Sequence, residues 1–181
     1  MRVTANVARG LARWLLLFVA IYGIIYLLRG GFLLSAVVLL LSGTHAVPMI
    51  TSGDLQKELS LDSSAIVLFD TRSPEEFETS HIRNAIRLDE DVSGIELGEK
   101  YGAAISGRNV VFYCSVGYRS AKVLRRITES AVLTGARSVR CLEGGIFDWY
   151  MKGNEVVNDS GTTASIHPHG IIGKLLVRER E

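Results

Sequence analysis

From Trp14 to Leu28 the chain runs through fifteen residues without a charge, WLLLFVAIYGIIYLL, and after Arg29-Gly30-Gly31 a second apolar run spans Phe32 to Ser42. A buried amphipathic helix would need a polar face, and residues 14 to 28 have none. Beyond Pro48 the pattern changes to short apolar runs separated by longer stretches with apolar residues at helical spacing, the rhythm of strands joined by helices. Thr51 or Ser52 predicts the cap of a short helix through Leu59. Ala65 to Phe69 reads as a fully buried strand ending at Asp70. Ser73-Pro74-Glu75-Glu76 is a helix start: a capping hydroxyl, proline at the first helical position and acids in the first turn.

Ala85 to Leu88 predicts a short strand, and Val92 to Ile105 a helix weakened by Gly94, Gly98 and Gly102. Asn109 to Tyr113 is a second buried strand, ending at Cys114. Ser120 to Leu133 predicts an amphipathic helix with Lys122, Arg125 and Arg126 on its wet side. Ser138 to Leu142 is a further strand, followed by Gly144-Gly145 and a helix through Tyr150. The expectation is an α/β fold: a parallel sheet of about five strands, helices on both faces, functional loops beyond the strand C-termini, and a hydrophobic helix ahead of it all. Residues 153 to 170 are polar and Gly-rich and read as a loosely held tail. The organisation is thus 1–47, an N-terminal signal or transmembrane segment; 48–153, the folded domain; and 154–181, the tail.

The N-terminal segment has three readings. Fifteen helical residues cover roughly 22 Å against a hydrocarbon core of about 30 Å, a gap nearly closed if the helix starts at Leu11 and Arg13 snorkels. That gives an uncleaved anchor. Phe32 to Ser42 followed by Ser42-Gly43-Thr44-His45-Ala46 instead resembles a secretory signal cut near Ala46, and a two-helix hairpin is disfavoured by its short second arm. In the first two readings Arg2, Arg9 and Arg13 hold the N-terminus in the cytoplasm. The domain is then membrane-anchored or secreted to the periplasm, on the non-cytoplasmic side.

Charge sharpens this division. The chain of 181 residues carries 20 Lys plus Arg and 19 Asp plus Glu, net +1, which gives no support to a nucleic-acid binder. Residues 1–53 hold four arginines and no acid, leaving the rest with 16 bases and 19 acids, as in a soluble piece joined to something different. Two cysteines, Cys114 and Cys141, form neither a disulfide scaffold nor a paired zinc motif.

The chemistry concentrates in Cys114-Ser115-Val116-Gly117-Tyr118-Arg119-Ser120, between a buried strand and an amphipathic helix. A thiol there faces loop N–H groups, the positive end of the following helix and the Arg119 guanidinium, all of which favour the thiolate. Gly117 permits the positive φ that a tight ring of amides requires.

In this respect the chain resembles the rhodanese family over roughly residues 50 to 153. Three blocks carry the resemblance: Asp70-Thr71-Arg72 with Glu75-Glu76-Phe77 and His81-Ile82; the loop from Cys114 to Arg119; and Glu143-Gly144-Gly145-Ile146 with Trp149. The resemblance implies a sulfurtransferase with no metal or organic cofactor. Cys114 takes a sulfane sulfur from a small anionic donor such as thiosulfate, or from a persulfide, and passes it to a thiol acceptor or cyanide. Arg119 would pair with the donor and the persulfide; the N–H groups of residues 115 to 119 would form a cradle, with Ser115, Val116, Gly117, Tyr118 and Ser120 in contact with substrate. The alternative is a non-catalytic module that uses the same loop to bind a partner protein. Phosphatases of this fold place five residues between Cys and Arg; here there are four. The chain departs from the family at Ser80, where Gly is common, and at Arg83-Asn84 in place of Pro-Gly.

Other chemistry-bearing residues read as structural. Asp70 and Arg72 hold the strand end near the site, and His81 is a hydrogen-bonded structural histidine. Cys141 packs within its strand, with a role in resolving an oxidised Cys114 as the alternative. Phe147 and Trp149 are core. His167-Pro168-His169 lacks the further ligands a metal site needs. Ile171 to Val177 is apolar enough to dock on the domain or touch a membrane surface.

Overall fold

The structure is a computed structural model that describes residues 17–21, 47–127 and 135–167. Residues 17–21 are helical with exposed side chains and are described apart from the domain, since they belong to a separate unit of the chain. Among the described residues no helix is long and apolar enough to cross a membrane. The expected anchor or signal, its cleavage point at Ala46 and the apolar stretch Ile171 to Val177 lie outside the described residues, apart from 17–21.

The domain runs β1 (Met49–Ile50), α1 (Ser52–Asp62), β2 (Ile66–Asp70), α2 (Pro74–Thr79), β3 (Ile86–Arg87), α3 (Gly94–Ile105), β4 (Asn109–Tyr113), α4 (Tyr118–Ile127), β5 (Ser138–Leu142), α5 (Gly145–Met151), β6 (Val156–Asn158) and β7 (Gly161–Thr163). The first five strands form one parallel sheet in the order β1-β5-β4-β2-β3. Every residue of β2 and all but the first of β4 are buried, as strands covered on both faces must be. Phe69 and Phe112 lie side by side in register and stack at 5.2 Å, with the Tyr101 ring edge-on to Phe69 at the same distance; such geometries add to the burial of large rings.

The helix starts follow the local chemistry. The Thr51 hydroxyl accepts from the Asp54 amide, so Thr51 rather than Ser52 is the cap of α1. Ser73 and Glu76 form a full capping box at α2, satisfying donors at the helix start that have no intrahelical partner. Ser93 caps α3, which forms despite its three glycines. Several boundaries shift from expectation: α1 runs on to Asp62, β3 narrows to Ile86–Arg87 and α3 starts at Gly94. Ala65 closes a short 3-10 turn instead of opening β2, and α4 begins at Tyr118, two residues early, because the Gly117 carbonyl already accepts the first helical bond, from the Ala121 amide at 3.1 Å, while the expected end at Leu133 lies outside the described residues.

The segment expected to be a loose tail is part of the domain through Ile166. β6 and β7 pair antiparallel, Val156, Val157 and Ile166 are buried, and the Val157 and His81 backbones exchange two hydrogen bonds of 2.8 Å.

Candidate active site

β2 and β4 end side by side, Asp70 opposite Tyr113, and the loop after β4 starts with Cys114. Cys114 is 1% exposed. The Gly117 amide donates to its Sγ at 3.1 Å, and the Ser120 hydroxyl stands 3.9 Å from the sulfur while donating to the Gly117 carbonyl at 3.0 Å. Gly117 has φ +95°, so the glycine is required here, and a Cβ on it would come within 3.2 Å of the Leu142 carbonyl. Of the amides expected to form the cradle, that of Gly117 is on the sulfur.

The third sequence block holds this loop from behind. The Ile146 and Phe147 amides donate to the carbonyls of Cys114 and Ser115 at 2.9 and 3.1 Å. In a trans peptide the N–H points opposite its C=O, so the following amides, of Ser115 and Val116, are turned away from α5. The approach tolerates no side chain at Gly145, where a Cβ would sit 2.3 Å from the Cys114 carbonyl.

Arg119 lies beside the sulfur but is not free. Its guanidinium donates through Nη1 to Glu76 Oε2 at 2.9 Å, and through Nη2 to Glu76 Oε1 at 2.8 Å and to the Ser115 hydroxyl at 2.9 Å. Ser115 in turn donates to Glu76 Oε1 at 2.8 Å. Burial works to raise the Glu76 carboxyl, but the bonds from Arg119, the Ser73 amide and Ser115, together with the Arg119 charge, bring it down to about 2. Burial likewise opposes the Arg119 charge, and Glu76 and Cys114 outweigh it, holding the guanidinium above its ordinary value.

Sequence reasoning missed Glu76. It was legible as the third residue of a capping box; its second bond set, reaching across to the loop after β4, has no local signature. Ser115 and Ser120, expected to contact substrate, are buried with hydroxyls turned to Glu76 and to the Gly117 carbonyl. At the rim stand Val116, half-buried, Tyr118, 39% exposed, and the paired Arg119 guanidinium, also half-buried.

Asp70 and Arg72 form a sealed pair next to this loop. Arg72 Nε is 2.9 Å from Asp70 Oδ1 and Nη2 2.6 Å from Oδ2, with Nη2 also donating to the Ser80 carbonyl at 2.6 Å. Burial disfavours the Arg72 charge, and the Asp70 carboxylate beside it more than compensates. The guanidinium lies 5.9 Å from the Tyr113 ring centroid, and the Tyr113 hydroxyl accepts from the Ile82 amide at 3.1 Å. Burial, with the Asp70 charge adding to it, pushes that phenol well above its ordinary value. His81 Nδ1 is 2.9 Å from the Phe77 carbonyl and its ring stacks on Phe77 at 4.0 Å, as a structural histidine does. Cys141 is fully buried in β5, and that burial raises its thiol to about 12. Trp149 and Phe147 are core, as expected.

The backbone accommodates both departures from the family pattern, although the buried Ser80 hydroxyl has no hydrogen-bond partner. Ser80 is extended, φ −171°, a conformation open to any residue. Asn84 takes φ +62°, the left-handed region that asparagine enters more readily than most residues.

A family model described as a rhodanese-like domain matches residues 52–152. Among solved structures, a thiosulfate sulfurtransferase from Pseudomonas aeruginosa is similar to the chain at 18% identity and TM-score 0.54, covering 73% of this chain and 24% of that one. A protein from Bacillus halodurans is similar at 23% identity and TM-score 0.50, covering 64% of this chain and 80% of that one. At these identities the likeness is one of fold. No curated protein matches the chain in sequence.

Proposed function

The chain belongs to the rhodanese-like domain family, and from that premise we propose that it is a sulfurtransferase working through a persulfide on Cys114. The observation that carries the reading is the Cys114 sulfur held at the end of a buried parallel strand with the Gly117 N–H aimed at it and the Arg119 guanidinium beside it. The sulfur of a Cys114 thiolate attacks the outer, sulfane sulfur of the donor. The donor's S–S bond breaks as the new one forms, and sulfite or a thiolate leaves with the electron pair. An acceptor thiol or cyanide then removes the outer sulfur and restores the thiolate. No external oxidant is consumed, and N–H donors fixed in advance around the sulfur stabilise negative charge at each stage.

Mass spectrometry of the full chain after treatment with thiosulfate or an organic persulfide tests this reading. One added sulfur on Cys114, removed by cyanide, is the expected result; no added sulfur from any donor overturns it. A second reading, a non-catalytic module binding a partner protein, is favoured by the burial of Cys114 together with the exposure of Tyr118 on the same loop. It predicts a partner lost on Tyr118→Ala and retained in Cys114→Ser.

Membrane attachment or export of the domain is also proposed, on the arginine-flanked apolar run of residues 14–28. Protease added outside the inner membrane should digest the domain in intact spheroplasts; digestion only after lysis overturns it.

A further inference from the structure

The two arginines that the resemblance brings near the nucleophile each have a carboxylate of their own. Arg72 is sealed with Asp70, neither side chain exposed. Arg119, the one cation of the loop 114–120, is held in a two-point pair by Glu76, whose side chain is 1% exposed. Glu76 is also bonded by Ser115 and the Ser73 amide, so the pair is braced from two elements and does not swing open by rotation of one side chain. The loop therefore offers a donor no unneutralised cation, and beside the paired, part-exposed Arg119 its rim carries Val116 and the aromatic Tyr118. A dianion approaching such a mouth gives up hydration without gaining a counter-charge, whereas a donor of low charge with an organic stem loses little and gains contact with the rim.

We infer that Glu76 is a specificity-determining residue that disfavours dianionic donors, and that the site takes its sulfur from organic persulfides or polysulfides of low charge. This rests on the Cys114 persulfide reading. In the transfer, the Cys114 thiolate attacks the outer sulfur of R–S–SH; that S–S bond breaks, R–S⁻ leaves, and the proton stays on the outer sulfur, now bonded to Cys114. Arg119 then neutralises Glu76 rather than binding the donor, and Glu76 acts through Arg119 as a positioning residue.

The test compares kcat/KM of the full chain with thiosulfate and with the persulfide of 2-mercaptoethanol, for the native sequence and for Glu76→Gln, which keeps a capping-box side chain and removes the charge. The native chain should prefer the persulfide by about tenfold or more, and Glu76→Gln should raise the thiosulfate-to-persulfide ratio by about tenfold. Salt gives an independent readout: thiosulfate rates of the native chain should be flat or rise with ionic strength, where a cationic mouth would make them fall. A native preference for thiosulfate, or a ratio unmoved in Glu76→Gln, overturns the inference while leaving sulfur transfer intact. Sulfur transfer from neither donor overturns the underlying reading and this inference with it. Should Glu76→Gln not fold, the salt dependence decides: a fall in the native thiosulfate rate with salt overturns the inference.

Discussion

The Asp70–Arg72 pair and the Glu76–Arg119 pair stand at the same edge of one parallel sheet, yet they differ in span and in access to water. The first joins residues two apart, with both side chains sealed from solvent. The second spans 43 residues, and its arginine remains 19% exposed while its carboxylate is buried. A sealed pair responds to nothing short of unfolding. A pair with one face to water is also within reach of whatever approaches the sulfur. The first locks β2 to the turn at Ser80; the second ties α2 to the Cys114 loop and sets its charge.

The largest expected effect lies at the atom both pairs surround. Cys114→Ser should lower sulfurtransferase kcat/KM by at least about a thousandfold with an unchanged melting transition, because the nucleophile is lost and the fold is not. Next, Asp70→Asn should cost about 3–5 kcal/mol in urea unfolding, since it leaves the Arg72 charge buried without its partner. A loss under 1 kcal/mol would break the distinction between a sealed and a half-open pair.

Acid should expose the second pair. The Glu76 carboxyl drops from 4.5 in its ordinary state to about 2 in the fold. Its contribution is therefore fully present above about pH 4.5 and is lost as pH falls toward 2, on the order of 3 kcal/mol in all. Unfolding free energies at a series of pH values should lose that slope in Glu76→Gln.

Arg119→Met should lower kcat/KM about a hundredfold, by roughly 2–3 kcal/mol, by leaving the Glu76 charge beside the sulfur. The double variant with Glu76→Gln should recover part of the loss, and a purely additive double would break the proposed coupling. The smallest effect belongs to Ser80→Gly. The extended backbone at Ser80 needs no glycine, whose chain entropy costs about 1 kcal/mol or less, while removing the buried, unpartnered Ser80 hydroxyl offsets that cost, so restoring the family's residue should move stability by less than about 1 kcal/mol.

Much of this was legible from short-range pattern. The strands Ile66–Asp70 and Asn109–Tyr113, the capping box of Ser73 and Glu76, the loop from Cys114 to Arg119 and the need for glycine at 117 are each written within a few residues. Burial of a continuous apolar run, satisfaction of helix-start amides and φ preference are local properties. The family membership followed from three such local blocks in order. The hairpin Val156–Thr163 escaped because its apolar content is slight, and its strongest tie, His81 to Val157, spans distant parts of the chain.

The amino-acid order by itself thus determined where the strands end, which residue carries the thiol and which glycine lets the loop turn. Only the tertiary structure decided what Arg119 touches, that Ser115 and Ser120 face inward, and that Glu76 belongs to the site. A side chain's partner depends on which elements pack together, and an arginine written next to a nucleophile says nothing of the carboxylate that a helix 43 positions earlier delivers to it.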